Sequence, residues 1–427
     1  MGSRGPSAGH RAGGNTMNKH ANDAQDMRLV YAGSFLGNFD RIVITPLLLP
    51  ASKGLGVSVS HVTIALTVYL LLFGLMQPVH GLISDVYGRV RVMRAALFAM
   101  CVADLVSALA PNLGVLILGR ALAGASAAAL LPVMVAYVGD RLPFAQRQRT
   151  VASVLAAGAV GTAAATVVAG VFTHLWSWRA AILLVAICSP LLALAFGRLP
   201  EASAPAPSGT SVKTRLGMVF RIGWFRFLVV FAVFEGAAML GFFNFFNTAL
   251  QSGGHSVVYA GLVTGSYGLA AVAGGVAVRT LGNRVSAATH FAVGSVLLGV
   301  GYLVCVPAQS MVTVLVGSVL SGLAFALVQS TVQTWGTEVA PPQVRGIATS
   351  LVACAVYTGA ALSTYLVSGL ADDEHFGTLF AIAAAVTLPV ALVGPVARAR
   401  FSAALAGRRD QPHPAEAPPA RPANQNP

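Results

Sequence analysis

The sequence predicts an all-α membrane protein with twelve transmembrane helices in two six-helix repeats. Three observations lead there. The chain of 427 residues is 56% hydrophobic and only 10% charged, whereas a soluble domain carries about 25% charged residues. So little charge cannot cover a water-exposed surface, so the bilayer is the solvent the composition requires. The apolar residues also fall in twelve runs of spanning length, and small-residue patterns in the first six runs return in the last six.

The runs are 29–50, 62–84, 93–110, 112–138, 151–173, 179–197, 225–248, 257–279, 287–306, 311–335, 346–370 and 376–397. A bilayer core needs about 20 helical residues, and each run comes close to that. Residues 1–27 mix Gly, Ser, Asn, His and charges, without the apolar centre of a signal peptide, and are expected to be a disordered tail. A second tail, rich in Pro, Ala and Arg, is expected over 398–427. The longest internal polar segment, 198–224, begins Arg198-Leu199-Pro200-Glu201 and divides the chain into halves at 28–197 and 225–397.

The halves answer one another. Gly81-x3-Asp85-x2-Gly88 returns as Gly275-x3-Arg279-x2-Gly282. Leu118-Gly119-x4-Gly124 returns as Val316-Gly317-x4-Gly322, and Gly139-x13-Ser153 as Gly336-x13-Ser350. Small residues are common in membrane helices, but three matches near one offset argue for duplication.

An even number of spans puts both ends on one side. Of the 27 lysines and arginines, only Lys53 and Arg179 fall in loops on the other side, and Arg41 and Arg120 lie inside spans. The positive-inside rule therefore predicts a multi-pass protein of the cell's inner membrane with both termini in the cytoplasm. The same distribution explains the formal charge of +13 without nucleic acid, since no basic face carries interleaved aromatics. The four cysteines, Cys101, Cys188, Cys305 and Cys354, sit in apolar runs without metal-type spacing and read as packing residues. No P-loop, HExxH or GxSxG motif is present, so no ATPase, enzyme, metal or cofactor is expected.

Between the second and third runs lies Gly81-Leu82-Ile83-Ser84-Asp85-Val86-Tyr87-Gly88-Arg89-Val90-Arg91, a short charged turn. It resembles the loop between helices 2 and 3 of the major facilitator superfamily, G-x-x-x-D-x-x-G-R, at Gly81, Asp85, Gly88 and Arg89. It departs from the pattern at Val86 and Val90, where that family often has basic residues. The segment Leu118-Gly119-Arg120-Ala121-Leu122-Ala123-Gly124 is similar to the family's R-x-x-x-G pattern, often implicated in proton coupling. Asn38-Phe39-Asp40-Arg41, followed by Pro46 and Leu49-Pro50, resembles span 1 of its drug exporters. Trp176-Ser177-Trp178-Arg179 is similar to an aromatic segment common in those exporters. The span-5 exporter pattern is reduced to Gly158-x2-Gly161, without its proline.

Ionisable residues at membrane depth are costly and are functional candidates by default. They are Asp40, Arg41, Asp104, Arg120 and Glu235, and all five are candidates for proton coupling. At about 1.5 Å per residue, Asp40 lies roughly 18 Å from one face and Arg120 roughly 12 Å from the other. In a core about 30 Å thick the two share a level and can pair. The competing arrangement is a neutralised Asp40–Arg41 pair with Asp104 as a fixed packing partner. Span 7 combines Phe231, Phe234, Glu235, Asn244 and Asn247, a lining suited to amphipathic molecules. Tyr69, Gln77 and His80 in span 2, Tyr267 in span 8, and Gln329 and Gln333 in span 10 are further substrate-facing candidates.

The resemblance implies a major facilitator transporter over about residues 28–397, of the drug:proton antiporter-like group. It implies proton-coupled export of a drug-like or secondary-metabolite molecule, the chemistry of multidrug efflux and antibiotic resistance, by a monomer in the plasma membrane. Its partners would be that substrate, protons and the lipid bilayer, with the Gly81–Arg89 turn latching the halves. A sugar, amino-acid or organic-acid transporter of the same fold, perhaps a symporter, is the alternative. A non-transporting receptor or scaffold is the rival from another class.

Overall fold

The computed structural model describes residues 9–201, 212–281 and 284–409. Among them the chain is helix and turn, with no strand. Ten helices are long and apolar enough to cross a membrane. They are span 2 (Val59–Tyr87), span 4 (Leu113–Arg141), span 5 (Gln146–Leu175), span 6 (Trp178–Phe196), span 7 (Gly223–Ser252), span 8 (Val257–Thr280), span 9 (Ala287–Val304), span 10 (Met311–Val339), span 11 (Arg345–Leu366) and span 12 (Phe376–Ala406).

Two further helical paths pack in the same bundle. Span 1 runs Gly9–Val43, breaks at Thr45–Leu47 and resumes over Leu48–Leu55. Pro46 accounts for the break, since it lacks an N–H and restrains the residue before it. Span 3, Arg89–Ala108, carries three arginines and Asp104, which dilute its hydropathy.

The helices reach into segments expected to be tails. Span 1 is helical from Gly9, and the last helix continues through Arg409. Once a helix is nucleated in the bundle, Ala- and Arg-rich sequence such as 397–409 extends it easily. Residues 1–8 and 410–427, and so the rest of both expected tails, lie outside the described residues. The expected linker holds a short helix, Val212–Phe220, and its residues 202–211 likewise lie outside.

The duplication is visible in the packing at a single offset of 198 residues. A Cβ on Gly124 of span 4 would lie 2.3 Å from the Tyr69 carbonyl oxygen of span 2, and one on Gly322 of span 10 would lie 2.2 Å from that of Tyr267 in span 8. Here 322 − 124 and 267 − 69 are both 198. Gly161 meets the Phe35 carbonyl in the first half as Gly359 meets that of Val233 in the second. Asn112 caps span 4 as Ser310 caps span 10. Each glycine lets two helix backbones touch, the usual way membrane helices pack closely.

One difference between the halves is informative. Ser286 caps span 9 with its own side chain. Its counterpart before span 3 is Gly88, at φ 98° and without a side chain to offer. Glu201 supplies the missing acceptor, taking the Val90 N–H at 2.8 Å and the Arg91 N–H at 3.2 Å. A carboxylate at a helix N-terminus is also favoured by the helix dipole. Gly88→Ala is expected to lower the unfolding midpoint of the detergent-purified protein, at a cost of about 1–3 kcal/mol. The new Cβ would be strained and 2.8 Å from the Glu201 carboxyl. An unchanged midpoint would contradict this account.

The halves meet where span 2 packs on span 11 and span 5 on span 8. A Cβ on Gly74 would lie 2.9 Å from Tyr357 and 3.1 Å from the Cys354 carbonyl, and one on Gly261 would lie 2.3 Å from the Thr166 carbonyl. Nearer the face where span 1 enters, Gly81 meets nothing within 4 Å. The side-chain hydrogen bonds between the halves, among the described residues, all lie toward the opposite face. Thr45 Oγ1 donates to Asn244 Oδ1 at 3.2 Å, Gln251 Nε2 to the Pro46 carbonyl at 2.9 Å, and the Ser60 N–H to Asp372 Oδ1 at 2.9 Å.

Within the second half, Gly359 offers a test of backbone contact. A side chain there would begin 1.8 Å from the Val233 carbonyl oxygen. Gly359→Val should therefore destabilise by at least about 1–3 kcal/mol, the usual range for overpacking. Gly369→Ala, whose Cβ would meet nothing within 4 Å, should leave the unfolding midpoint in place. Equal midpoints for the two variants would refute the packing argument.

Candidate functional site

Asp40, Tyr69, Asp104, Ser107 and Arg120 converge inside the first half, all fully buried. Asp104 and Ser107 are three residues apart, so they share one face of span 3. The glycines around Arg120 bring its helix in. At Gly119 a Cβ would lie 2.4 Å from Ser107 Oγ, and at Gly124 it would meet the Tyr69 backbone. The R-x-x-x-G spacing thus has a mechanical meaning: the glycine one turn after the arginine lets span 4 approach span 2.

Arg120 uses its whole fork. Nη1 donates to Asp40 Oδ1 at 3.0 Å, Nη2 donates to Asp104 Oδ1, and Nε donates to Ser107 Oγ at 3.1 Å. Tyr69 donates its hydroxyl to Asp40 Oδ2 at 2.8 Å, and its ring lies 5.5 Å from the guanidinium carbon. Asp104 Oδ2 has no partner among the described residues. Two carboxyl groups therefore share one guanidinium in a site without water access. The second half carries a neutral counterpart, in which Tyr302, 198 residues after Asp104, donates its hydroxyl to the Ala238 carbonyl at 2.7 Å.

The expected Asp40–Arg120 pair is present, and Asp104 joins it. Asp40 does not pair with Arg41, which turns to Asn38 Oδ1 at 3.2 Å. Tyr69, expected to face substrate, spends its hydroxyl on Asp40. Ser107 was not among the sequence candidates, although its spacing from Asp104 would have marked it.

Glu235 of span 7 is fully buried, and neither carboxyl oxygen has a partner among the described residues. It lies two residues before the start of a π-helical turn, Ala237–Gly241, an irregularity frequent at functional sites. Phe231 and Phe234 do not line a passage with it. Phe231 packs into an aromatic cluster with Phe227, Phe291 and Trp335, and Phe234 is 53% exposed on the outer surface. The helical period makes this unavoidable, since residues 234 and 235 point about 100° apart.

Asn244 and Asn247 lie at the closed end of the seam. Asn244 donates to the Leu240 and Gly241 carbonyls and to Thr364 Oγ1, while accepting from Thr45. Asn247 donates to Thr264 Oγ1 at 3.1 Å and accepts from Gln251. Tyr267 is buried against Phe243, with ring centroids 4.1 Å apart. Gln77 is buried, Gln329 is half-buried with Oε1 lacking a donor, and Gln333 is exposed. His80 bonds through Nδ1 to the Met76 carbonyl at 2.9 Å.

The Gly81–Arg89 turn holds the first half together. Arg89 pairs with Asp85 at 2.5 Å and Asp140 at 3.1 Å, and donates to Ser84 Oγ at 2.6 Å. All three partners belong to that half, so the expected latch between halves is not made in this conformation.

Two six-helix repeats meeting along a seam, with charged groups sealed at membrane depth, make the architecture of an alternating-access membrane transporter. The model of the Major Facilitator Superfamily matches residues 30–364 and 254–425. The chain belongs to that superfamily.

Among curated relatives, the uncharacterized MFS-type transporter YwfA of Bacillus subtilis is 27% identical over 150 residues, 34% of this chain and 36% of its own length. The cephamycin export protein CmcT of Amycolatopsis lactamdurans is 32% identical over 169 residues, 39% of this chain and 35% of its own. The efflux pump dotC of Dothistroma septosporum is 29% identical over 195 residues, 44% of this chain and 33% of its own. The chain thus matches about a third of each relative's length. Among solved structures, the nucleoside transporter NupG superposes with a TM-score of 0.74 at 14% identity, covering 87% of this chain and 99% of that one. A D-xylose-proton symporter superposes with a TM-score of 0.69 at 16% identity, covering 86% of this chain and 95% of that one. At these identities the likeness is one of fold.

Proposed function

We propose that this transporter exports a small drug-like or secondary-metabolite molecule in exchange for protons, in the manner of a multidrug antiporter. The observation that carries the reading is the sharing of Arg120 by Asp40 and Asp104, all three fully buried. One guanidinium neutralises one carboxylate. A second bare charge in so dry a site is expensive, and a proton on the carboxyl pair removes it. Asp104 Oδ2, without another partner, is a free position for that proton. Any motion that separates Arg120 from either acid changes the balance, which is how proton release couples to conformation. Glu235, equally buried and without donors, is the corresponding candidate in the second half.

Export is supported by relatives named as an efflux pump and as an export protein. The distribution of Lys and Arg assigns the face bearing the termini to the cytoplasm. On that assignment the hydrogen bonds between halves close the extracellular end, and the conformation is the inward-facing member of the cycle. Asn244 and Asn247 then belong to the outer gate, and Tyr267, Gln77 and Gln329 to the substrate path. Arg89 and Asp85 brace the first half as it rocks.

The test is transport by inverted vesicles across a compound panel, with and without a proton gradient. Asp40→Asn and Glu235→Gln should each reduce gradient-driven accumulation by about tenfold or more, the effect of deleting a buried charged hydrogen-bonding group. Full coupled transport in both variants would remove the mechanism. Gradient-driven uptake into right-side-out cells would reverse the direction and favour a sugar, amino-acid or organic-acid symporter.

A further inference from the structure

Span 1 carries a second buried cation, Arg41, directly beside the Asp40–Arg120 cluster. Arg41 is 7% exposed, and its Nε is buried without an acceptor. Its neighbour Asp40 is unavailable, because Oδ1 is held by Arg120 and Oδ2 by Tyr69. Among the described residues no carboxylate pairs with Arg41. Its one side-chain bond is to the amide oxygen of Asn38. A guanidinium offers five donors, and leaving it buried without an anion is costly.

Arg41 lies one helical turn before Thr45, whose hydroxyl crosses the seam to Asn244 Oδ1 at 3.2 Å. Phe243, the residue before Asn244, packs on Tyr267 of span 8 in the same half. Tyr267 heads an aromatic wall, with Phe243 at 4.1 Å and Phe325 at 6.0 Å between ring centroids. Gln329 lies one helical turn beyond Phe325 on the same face of span 10, and its Oε1 is buried without a donor. The seam therefore offers a cation, an apolar wall and an amide oxygen in need of a donor.

We propose that Arg41 binds the anionic group of an organic-acid substrate, whose apolar body lies against Tyr267, Phe243 and Phe325. This deepens the export reading and rests on it: the exported molecules are amphipathic acids. A planar guanidinium suits a carboxylate because two parallel hydrogen bonds fix its orientation. Arg120 cannot serve this purpose, since all three of its donor nitrogens are committed within the first half.

The experiment compares acids with their neutral isosteres on the full-length protein in nanodiscs and proteoliposomes. The probes are indole-3-acetate against indole-3-acetamide, and 4-phenylbutyrate against its primary amide. The parent should bind each acid about tenfold to a hundredfold more tightly than its amide, the range for a charge-assisted hydrogen bond. Arg41→Gln should abolish that preference while leaving amide binding unchanged, and Arg41→Lys should retain part of it. If Arg41→Gln fails to fold, the parent alone decides. Equal affinity for acid and amide, or no acid bound at millimolar concentration, overturns the proposal, as does a preference that survives in a folded Arg41→Gln protein. Gradient-driven export of neutral compounds without acid preference would overturn this inference and leave the export reading standing. Arg41-dependent acid binding without export would do the reverse.

Discussion

Arg120→Met is expected to destabilise the protein by about 3–5 kcal/mol, the cost of stranding a buried charge, and to abolish proton-coupled transport. The substitution leaves Asp40 with only the Tyr69 hydroxyl and Asp104 with no partner at all. The diagnostic comparison is with the triple variant Arg120→Met, Asp40→Asn, Asp104→Asn. It no longer buries an unmatched charge and should recover most of the lost unfolding midpoint, while transport remains uncoupled. Arg120→Lys should fall between, because a compact ammonium cannot reach Asp40, Asp104 and Ser107 with the geometry of a fork. If the triple variant were no more stable than the single one, the charge balance of this cluster would not be what holds it. The three sites touch, so only their cycle, and not the single variants, apportions the energy.

The second large effect concerns the closed end of the seam. Thr45→Val with Gln251→Leu removes two of the three side-chain bonds between halves found there. Each such bond contributes about 0.5–1.5 kcal/mol. The pair should therefore shift the balance of conformations by about tenfold toward the state open at that end. The prolines of span 1 are what make the gate possible, because Pro50, four residues on, has no N–H to give the Pro46 carbonyl, which accepts from Gln251 instead. Thr248 is fully buried close by. Thr248→Cys, in a background lacking the four native cysteines, should react about tenfold faster with an impermeant maleimide when the two gate substitutions are added. An unchanged labelling rate would show that these bonds do not set the conformational balance.

Much of this arrangement was legible beforehand. The Asp40–Arg120 pairing followed from counting residues along two helices, because rise per residue is a local property that tertiary structure scarcely alters. The duplication followed from glycine spacing, and the structure shows why it persists. Gly124 and Gly322 each touch a tyrosine carbonyl on a neighbouring span, and neither tolerates a side chain. The reading of span 7 went astray in an instructive way. Phe231, Phe234, Asn244 and Asn247 share one apolar run, but a core cluster, the outer surface and a gate network claim them separately. Hydropathy reports that a helix is buried in something; it does not report the rotation that decides which neighbour each side chain meets. The π turn after Glu235 shifts that rotation again.

By itself, the order of residues determined the solvent, the two-part division of the chain, the repeat and the pairing level shared by Asp40 and Arg120. These follow from composition and from distances along the chain. Only the packed bundle decided that Asp40 turns to Arg120 instead of Arg41, that Asp104 and Tyr69 complete the set, and that Arg41 bonds to Asn38. Those choices depend on which helices lie side by side and at what rotation, and glycines far apart in the chain set both by letting particular backbones touch.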